Sequence, residues 1–94
     1  MIILQIEHPV PNFDAWKQAF DSDPADRRGS GVKRYQIMRS LDDPTLVLID
    51  LEFGTAADAE ALLSSMREIW DQLQGKVIFE PRATIVEVVE DRSL

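Results

Sequence analysis

The segment Leu46-Val47-Leu48-Ile49-Asp50-Leu51-Glu52-Phe53 decides the fold, because its alternate positions differ sharply in polarity. One set of alternate positions is entirely apolar, namely Val47, Ile49, Leu51 and Phe53. Successive side chains of a strand point to opposite faces of a sheet, so the pattern predicts a strand with one face in the core. The other positions are Leu46, Leu48, Asp50 and Glu52, a mixture typical of a face that is partly wet.

Three further strands and two helices are predicted around this segment. Alternation predicts strands over Ile2–His8, Val32–Ser40 and Thr84–Val89, and Val77–Phe79 has the composition of a strand start before Pro81. Helical spacing and capping residues predict one helix from the N-cap Asn12 to Asp21–Asp23 and another from the N-cap Thr55 to the C-cap Gly75. The order β-α-β-β-α-β predicts an α+β, ferredoxin-like fold, a four-stranded antiparallel sheet with both helices on one face.

Size, charge and cysteine content exclude several classes of protein. A chain of 94 residues predicts a single domain over 1–94, because about 65% of its surface can be buried on folding. The net charge of −7 argues against binding to nucleic acid or to an anionic membrane. The lack of cysteine excludes disulfides and thiolate chemistry. The apolar start at residues 1–6 is too short and too polar for a signal peptide or a membrane span, so we expect a cytoplasmic protein.

The helix-free face of the predicted sheet indicates a homodimer. By parity, Gln5 and Glu7 of the first strand join the mixed face of the third strand. Two such faces packed together would form a closed barrel with a partly wet interior, and a two-fold arrangement would bury both at once. The last strand, which is apolar on both parities, is expected to contact the partner through Ile85, Val86, Val88 and Val89.

Two stretches of the sequence resemble a known superfamily. His8-Pro9-Val10-Pro11-Asn12-Phe13-Asp14-Ala15-Trp16-Lys17, and Arg39 followed by Asp42-Asp43-Pro44, resemble small members of the dimeric α+β barrel superfamily, which includes the antibiotic-biosynthesis-monooxygenase-like domains. The resemblance covers nearly the whole chain in element order and length. It implies a homodimeric barrel that binds a small aromatic or polyketide-like ligand. Members of this superfamily include quinol oxygenases that need no bound cofactor, haem-degrading enzymes, lactone isomerases, cyclases and proteins of no known activity, and the fold does not choose among them. No bound cofactor is expected here, and the haem-degrading members use a helix-borne histidine that the predicted second helix lacks.

His8 is the single histidine and the candidate catalytic residue. Its ordinary pKa lies near neutrality, and it ends the first strand where pockets of such barrels open, so it could serve as a general base or hydrogen-bond partner. The alternative is a structural histidine that fastens the strand–helix junction to the backbone or to Asp14. Its parity with Leu4 and Ile6 directs it toward the helices.

Five residues are candidate substrate contacts: Arg34, Tyr35, Arg39, Asp50 and Trp70. Trp70 also has a structural interpretation, since it lies on an apolar helical stripe, as Trp16 does. The basic run 27–34, which combines arginines with glycines, could hold a carboxylate or phosphate, or it could be solvated or ion-paired surface charge. A predicted acidic cluster on the open face could act in acid–base chemistry or pair with Arg34; it comprises Glu7, Asp50, Glu52 and Glu87. The sequence shows no metal-ligand spacing.

Two functions remain open at this point. One is a small-molecule-binding or cofactor-independent monooxygenase-like barrel of unknown substrate, and the other is a non-catalytic dimeric binding or assembly module. A cavity containing His8 would favour the first, and a barrel filled by side chains the second. We further predict that a symmetric turn pairs Arg34 with Glu52, and that replacing His8 affects ligand binding more than replacing Tyr35.

Overall fold

A computed structural model of the chain describes residues 1–73 and 81–94. Its elements are β1 (Ile2–Pro9), α1 (Phe13–Asp21), β2 (Val32–Arg39), β3 (Leu46–Phe53), α2 (Ala56–Leu73) and β4 (Arg82–Glu87). The four strands form one antiparallel sheet in the order β2-β3-β1-β4. The predicted α+β, ferredoxin-like arrangement is therefore confirmed.

The apolar parities of the two central strands form the core. Along β3, the predicted core positions are all buried and the intervening ones are half-buried. Leu4 and Ile6 of β1 lie beside them, directly opposite Leu51 and Ile49. The helices cover this same face, since the buried Trp16 of α1 and Trp70 of α2 pack into one cluster with these strands.

Local capping fixes where the helices begin. The Asn12 side chain accepts a hydrogen bond from the Ala15 amide at 3.0 Å, and the Thr55 hydroxyl accepts one from the Asp58 amide at 3.2 Å. Each satisfies an amide that has no partner within its helix. The predicted starts are thus correct, and α1 ends at Asp21, within the predicted range.

The β2–β3 hairpin has the predicted register. Its turn is closed by Asp43, whose carboxylate accepts hydrogen bonds from the Thr45 amide at 3.1 Å and hydroxyl at 2.6 Å. Arg34 lies opposite Glu52, and its Nε is 2.9 Å from the Glu52 carboxylate, so the predicted ion pair is confirmed. A bulge between Val32 and Arg34 shifts the register near the start of β2.

The last strand differs from its predicted bounds. β4 spans Arg82–Glu87 instead of Thr84–Val89, because the β1 ladder ends where Ile2 pairs with Glu87. Val88 still donates a hydrogen bond to the Met1 carbonyl at 2.9 Å, but Val89 lies beyond the sheet and is exposed. The strand start predicted at Val77–Phe79 and the cap predicted at Gly75 lie outside the described residues.

The open face, meaning the face of the sheet opposite the helices, has the predicted mixed character with one correction. Its central positions are Ile3, Gln5, Glu7, Leu48, Asp50 and Glu52, flanked by Met38, Arg34, Arg82 and Val86. Glu87 does not join the acidic cluster, because it lies opposite Ile2, which shares the parity of the buried Leu4. Neither described helix combines the length and apolar character needed to cross a membrane.

Candidate functional site

A cavity lies between the core face of the sheet and the two helices. Its volume is about 50 Å³, counted as space open to the centre of a water molecule. One water needs roughly 10–15 Å³ on that scale, so the cavity can hold water or part of a small ligand. The wall comprises His8 of β1, Ile49 of β3, Trp16, Ala19 and Phe20 of α1, Met66, Ile69 and Trp70 of α2, and Pro24, Ala25 and Arg27 of the loop after α1.

His8 is the buried polar group of this wall. The side chain is 1% exposed, and its ring meets the Trp16 ring edge-on, with centroids 5.6 Å apart. The Nδ1 atom is buried and has no hydrogen-bond partner among residues 1–73 and 81–94. A buried nitrogen without a partner costs about 1–3 kcal/mol, so a bound water or ligand group at this atom would stabilise the fold.

Burial determines the charge state of His8. It lowers the pKa of the imidazole from 6.5 to about 4, and the Pro9 backbone offsets this effect only in part. The imidazole is therefore neutral at pH 7, with one nitrogen as donor and the other as acceptor. With this lowered pKa it is a weak base, well suited to hydrogen bonding with a ligand hydroxyl or carbonyl. Among the described residues, Nδ1 of His8 makes no hydrogen bond to Asp14.

The two tryptophans are both core residues and cavity residues. Trp16 is 4% exposed and Trp70 is 8% exposed, as the apolar stripes of their helices predict. Both also line the cavity. The candidate contact Trp70 is thus placed beside His8, and their aromatic surfaces favour a flat apolar ligand.

The other candidate residues lie away from the cavity. Tyr35 packs edge-on against Phe20, with the two ring centroids 5.2 Å apart, and is 43% exposed. The guanidinium of Arg39 lies 4.6 Å from the centre of the Phe13 ring. Arg34 and Asp50 are on the open face, so the structure separates them from His8 by the thickness of the sheet.

Arg27 is a cavity residue that the sequence did not identify. Its Nη1 donates a hydrogen bond to the Phe20 carbonyl at 2.7 Å and lies 3.3 Å from the Asp23 carboxylate. Its guanidinium carbon is 3.9 Å from the centre of the Phe20 ring. The sequence leaves the basic run 27–34 open between an anion-binding loop and solvated or ion-paired charge, and it does not place Arg27 in a cavity. The available signal is the spacing of Asp23 and Arg27 after an aromatic helix end.

A second depression lies on the open face. It is lined by Gln5, Ile6, Glu7, Leu48, Asp50, Arg82 and Thr84 and measures about 400 Å³ on the same scale. Glu7 is directly opposite Arg82 on β4, and Asp50 is opposite Gln5 on β1. Over the part of the chain that the structure describes, no three acidic or histidine side chains converge as metal ligands would.

Comparison with solved structures defines the class of fold. SnoaB, a cofactor-independent oxygenase from Streptomyces nogalater, superposes with a TM-score of 0.71 at 11% identity, covering 96% of this chain and 94% of SnoaB. A candidate antibiotic biosynthesis monooxygenase from Deinococcus radiodurans gives 0.70 at 14% identity, with 100% and 98% covered. A dimeric ferredoxin-like protein from an uncultured marine organism gives 0.67 at 8% identity, with both chains fully covered at 100%.

These similarities establish the fold. The chain has the ferredoxin-like fold that these three structures share, and the resemblance seen in the sequence is confirmed at the level of the fold. No protein-family model matches the chain. No curated protein matches it significantly.

Proposed function

We propose that residues 1–94 form a one-domain, homodimeric barrel protein that binds a small aromatic molecule in the cavity of each protomer. The observation that carries this proposal is the His8 cavity itself, an apolar space with one buried, unpartnered imidazole nitrogen in its wall. Binding sites for small molecules typically combine apolar walls with a few placed polar groups. A barrel interior filled by side chains would have favoured a module without a ligand.

The reaction class that fits this cavity is oxygenation without a bound cofactor. SnoaB, which shares the fold, is described as a cofactor-independent oxygenase. An electron-rich hydroxyaromatic substrate can itself reduce dioxygen, so the protein has to supply orientation, a proton acceptor and exclusion of water. Here the aromatic wall would orient the ring, and neutral His8 would accept a hydrogen bond from its hydroxyl group.

The dimer would form through the open faces of two sheets. Leu48 and Ile3 lie there next to Glu52 and Asp50, a mixture that suits an enclosed, partly wet interface better than full exposure. Two structures with this fold are described as dimeric ferredoxin-like proteins. A self-complementary patch of this kind closes under two-fold symmetry.

A ligand screen tests the proposed function. Hydroxylated aromatics and haem are added to the protein, and a ligand of the folded state raises the melting temperature. We expect aromatic hits whose binding is weakened by His8→Ala and retained in Tyr35→Phe, because Tyr35 lies outside the cavity wall. Oxygen uptake with each hit then separates an oxygenase from the alternative, a binding module without turnover. Equal binding by folded His8→Ala and wild type would contradict the assignment of His8.

A further inference from the structure

We propose that Arg27 makes the cavity selective for aromatic carboxylates. This inference rests on the proposed function, because it assumes that the cavity binds a ligand, and it adds the chemical class of that ligand. It follows from the charge, the free donors and the fixed orientation of one side chain.

Among the residues that the structure describes, Arg27 is the single charged one in the cavity wall. The remaining wall residues are apolar apart from His8, which is neutral at pH 7. The Arg27 side chain is 15% exposed, so water screens its charge far less than that of a surface arginine. A cation beside apolar walls attracts an anion that also carries an apolar body.

The guanidinium retains donors for such an anion. Both of its polar contacts, to the Phe20 carbonyl and to Asp23, use Nη1. Within residues 1–73 and 81–94, Nε and Nη2 make no hydrogen bond. Arginine has five N–H donors in a planar fork, which matches the two oxygens of a carboxylate.

The position of the guanidinium is fixed by its surroundings. It lies 3.9 Å from the centre of the Phe20 ring and 5.2 Å from that of Tyr35. The Arg27 amide also donates to the Asp23 carboxylate at 2.9 Å, which ties the backbone at this position. Little side-chain entropy is then left to lose on binding, which favours affinity.

Asp23 does not occupy the place of the ligand. It borders an outer cleft together with Arg28 and Lys33, and it is absent from the cavity wall. Arg27 borders both spaces, whereas Asp23 borders only the outer cleft, so the described cavity wall contains no carboxylate that would compete with a ligand. The Asp23 ion pair therefore holds Arg27 in place without blocking the cavity.

Benzoate and benzamide test this inference, because they have nearly the same shape and differ in charge. The chain has two tryptophans, Trp16 and Trp70, and both line the cavity, so their two indole N–H signals in an NMR titration report on occupancy. At pH 7 we expect wild-type protein to bind benzoate about tenfold more tightly than benzamide, as a charge-assisted hydrogen bond implies.

Three variants separate the inference from a general effect of charge. Arg27→Gln should lower benzoate affinity to that of benzamide, and Arg27→Lys should keep most of the preference. Arg28→Gln removes the same charge from the outer cleft and should leave the preference unchanged. Equal binding of both probes by wild type, or the same loss in both glutamine variants, overturns the role of Arg27 and leaves the proposed function standing. If neither probe shifts the indole signals, both the role of Arg27 and the proposed function are overturned.

Discussion

His8 should make the stability of the folded protein depend on pH in the mildly acidic range. Burial lowers its pKa from 6.5 to about 4 in the folded state, whereas the unfolded chain keeps the ordinary value. Between these values the unfolded state binds a proton that the folded state does not. The His8 contribution is therefore fully present above pH 6.5 and is lost as the pH falls toward 4.

The size of this effect follows from the two pKa values. As the pH falls from above 6.5 to below 4, the loss in the free energy of unfolding approaches about 3 kcal/mol, because each unit of pKa difference corresponds to about 1.4 kcal/mol. Between pH 7.5 and pH 5, where the folded protein still leaves His8 neutral, the loss is about 2 kcal/mol. This is a large share of the stability of a small domain.

His8→Phe is the matched variant for this measurement. The phenyl ring can keep the edge contact with Trp16, it has no titrating group, and the cavity beside it can take the added volume. Urea unfolding at pH 7.5 and pH 5 gives the free energy of unfolding for each protein, at one fixed concentration because a dimer gains stability with concentration. Both proteins contain the same carboxylates. The difference between their pH-dependent changes in the free energy of unfolding therefore gives the contribution of His8.

Wild type should lose about 2 kcal/mol more than His8→Phe between these pH values. As the chain has one histidine, its ring proton signals also give the folded-state pKa directly by NMR. Equal losses in the two proteins, with an NMR pKa near 6.5, would refute the burial argument. His8 would then be solvated, and its role as the neutral polar group of the cavity would fail.

Three further predictions concern the fold and the assembly. Gly31→Ala should destabilise the protein by about 1–2 kcal/mol in thermal melts, since φ is +99° and the new Cβ would lie 2.9 Å from an Asp58 oxygen; Gly54→Ala, with a nearest contact at 3.9 Å, is the control. A double-mutant cycle with Arg34→Ala and Glu52→Ala should give a coupling below about 1 kcal/mol if Arg34 keeps in the dimer the 64% exposure that it has in one protomer, and a value above about 2 kcal/mol would show that the dimer buries the pair. Light scattering should give twice 10.7 kDa for wild type, and Leu48→Arg on the open face should shift the mass toward 10.7 kDa. Leu41→Arg, at an exposed turn, should remain dimeric, and a wild-type monomer at micromolar concentration would refute the barrel.

Tertiary structure decided the features that depend on partners distant in the chain. The register of β4 against β1 puts Glu87 opposite Ile2 and therefore on the core parity. The ladder ends at that pair, so Val89 lies outside the sheet. In the sequence Arg27 belongs to a basic run that could be either an anion-binding loop or surface charge, and it lines a cavity because the loop after α1 folds back over the Phe20 ring.

The sequence by itself determined whatever follows from local periodicity and local hydrogen bonding. Alternation placed the core face of β3 and directed His8 toward the helices, and Asn12 and Thr55 marked both helix starts. The turn at Asp43 set the register that joins Arg34 to Glu52. Only the fold shows that the His8 imidazole is sealed among apolar side chains with Nδ1 unpartnered in the described structure, because burial is a property of all the surrounding elements together.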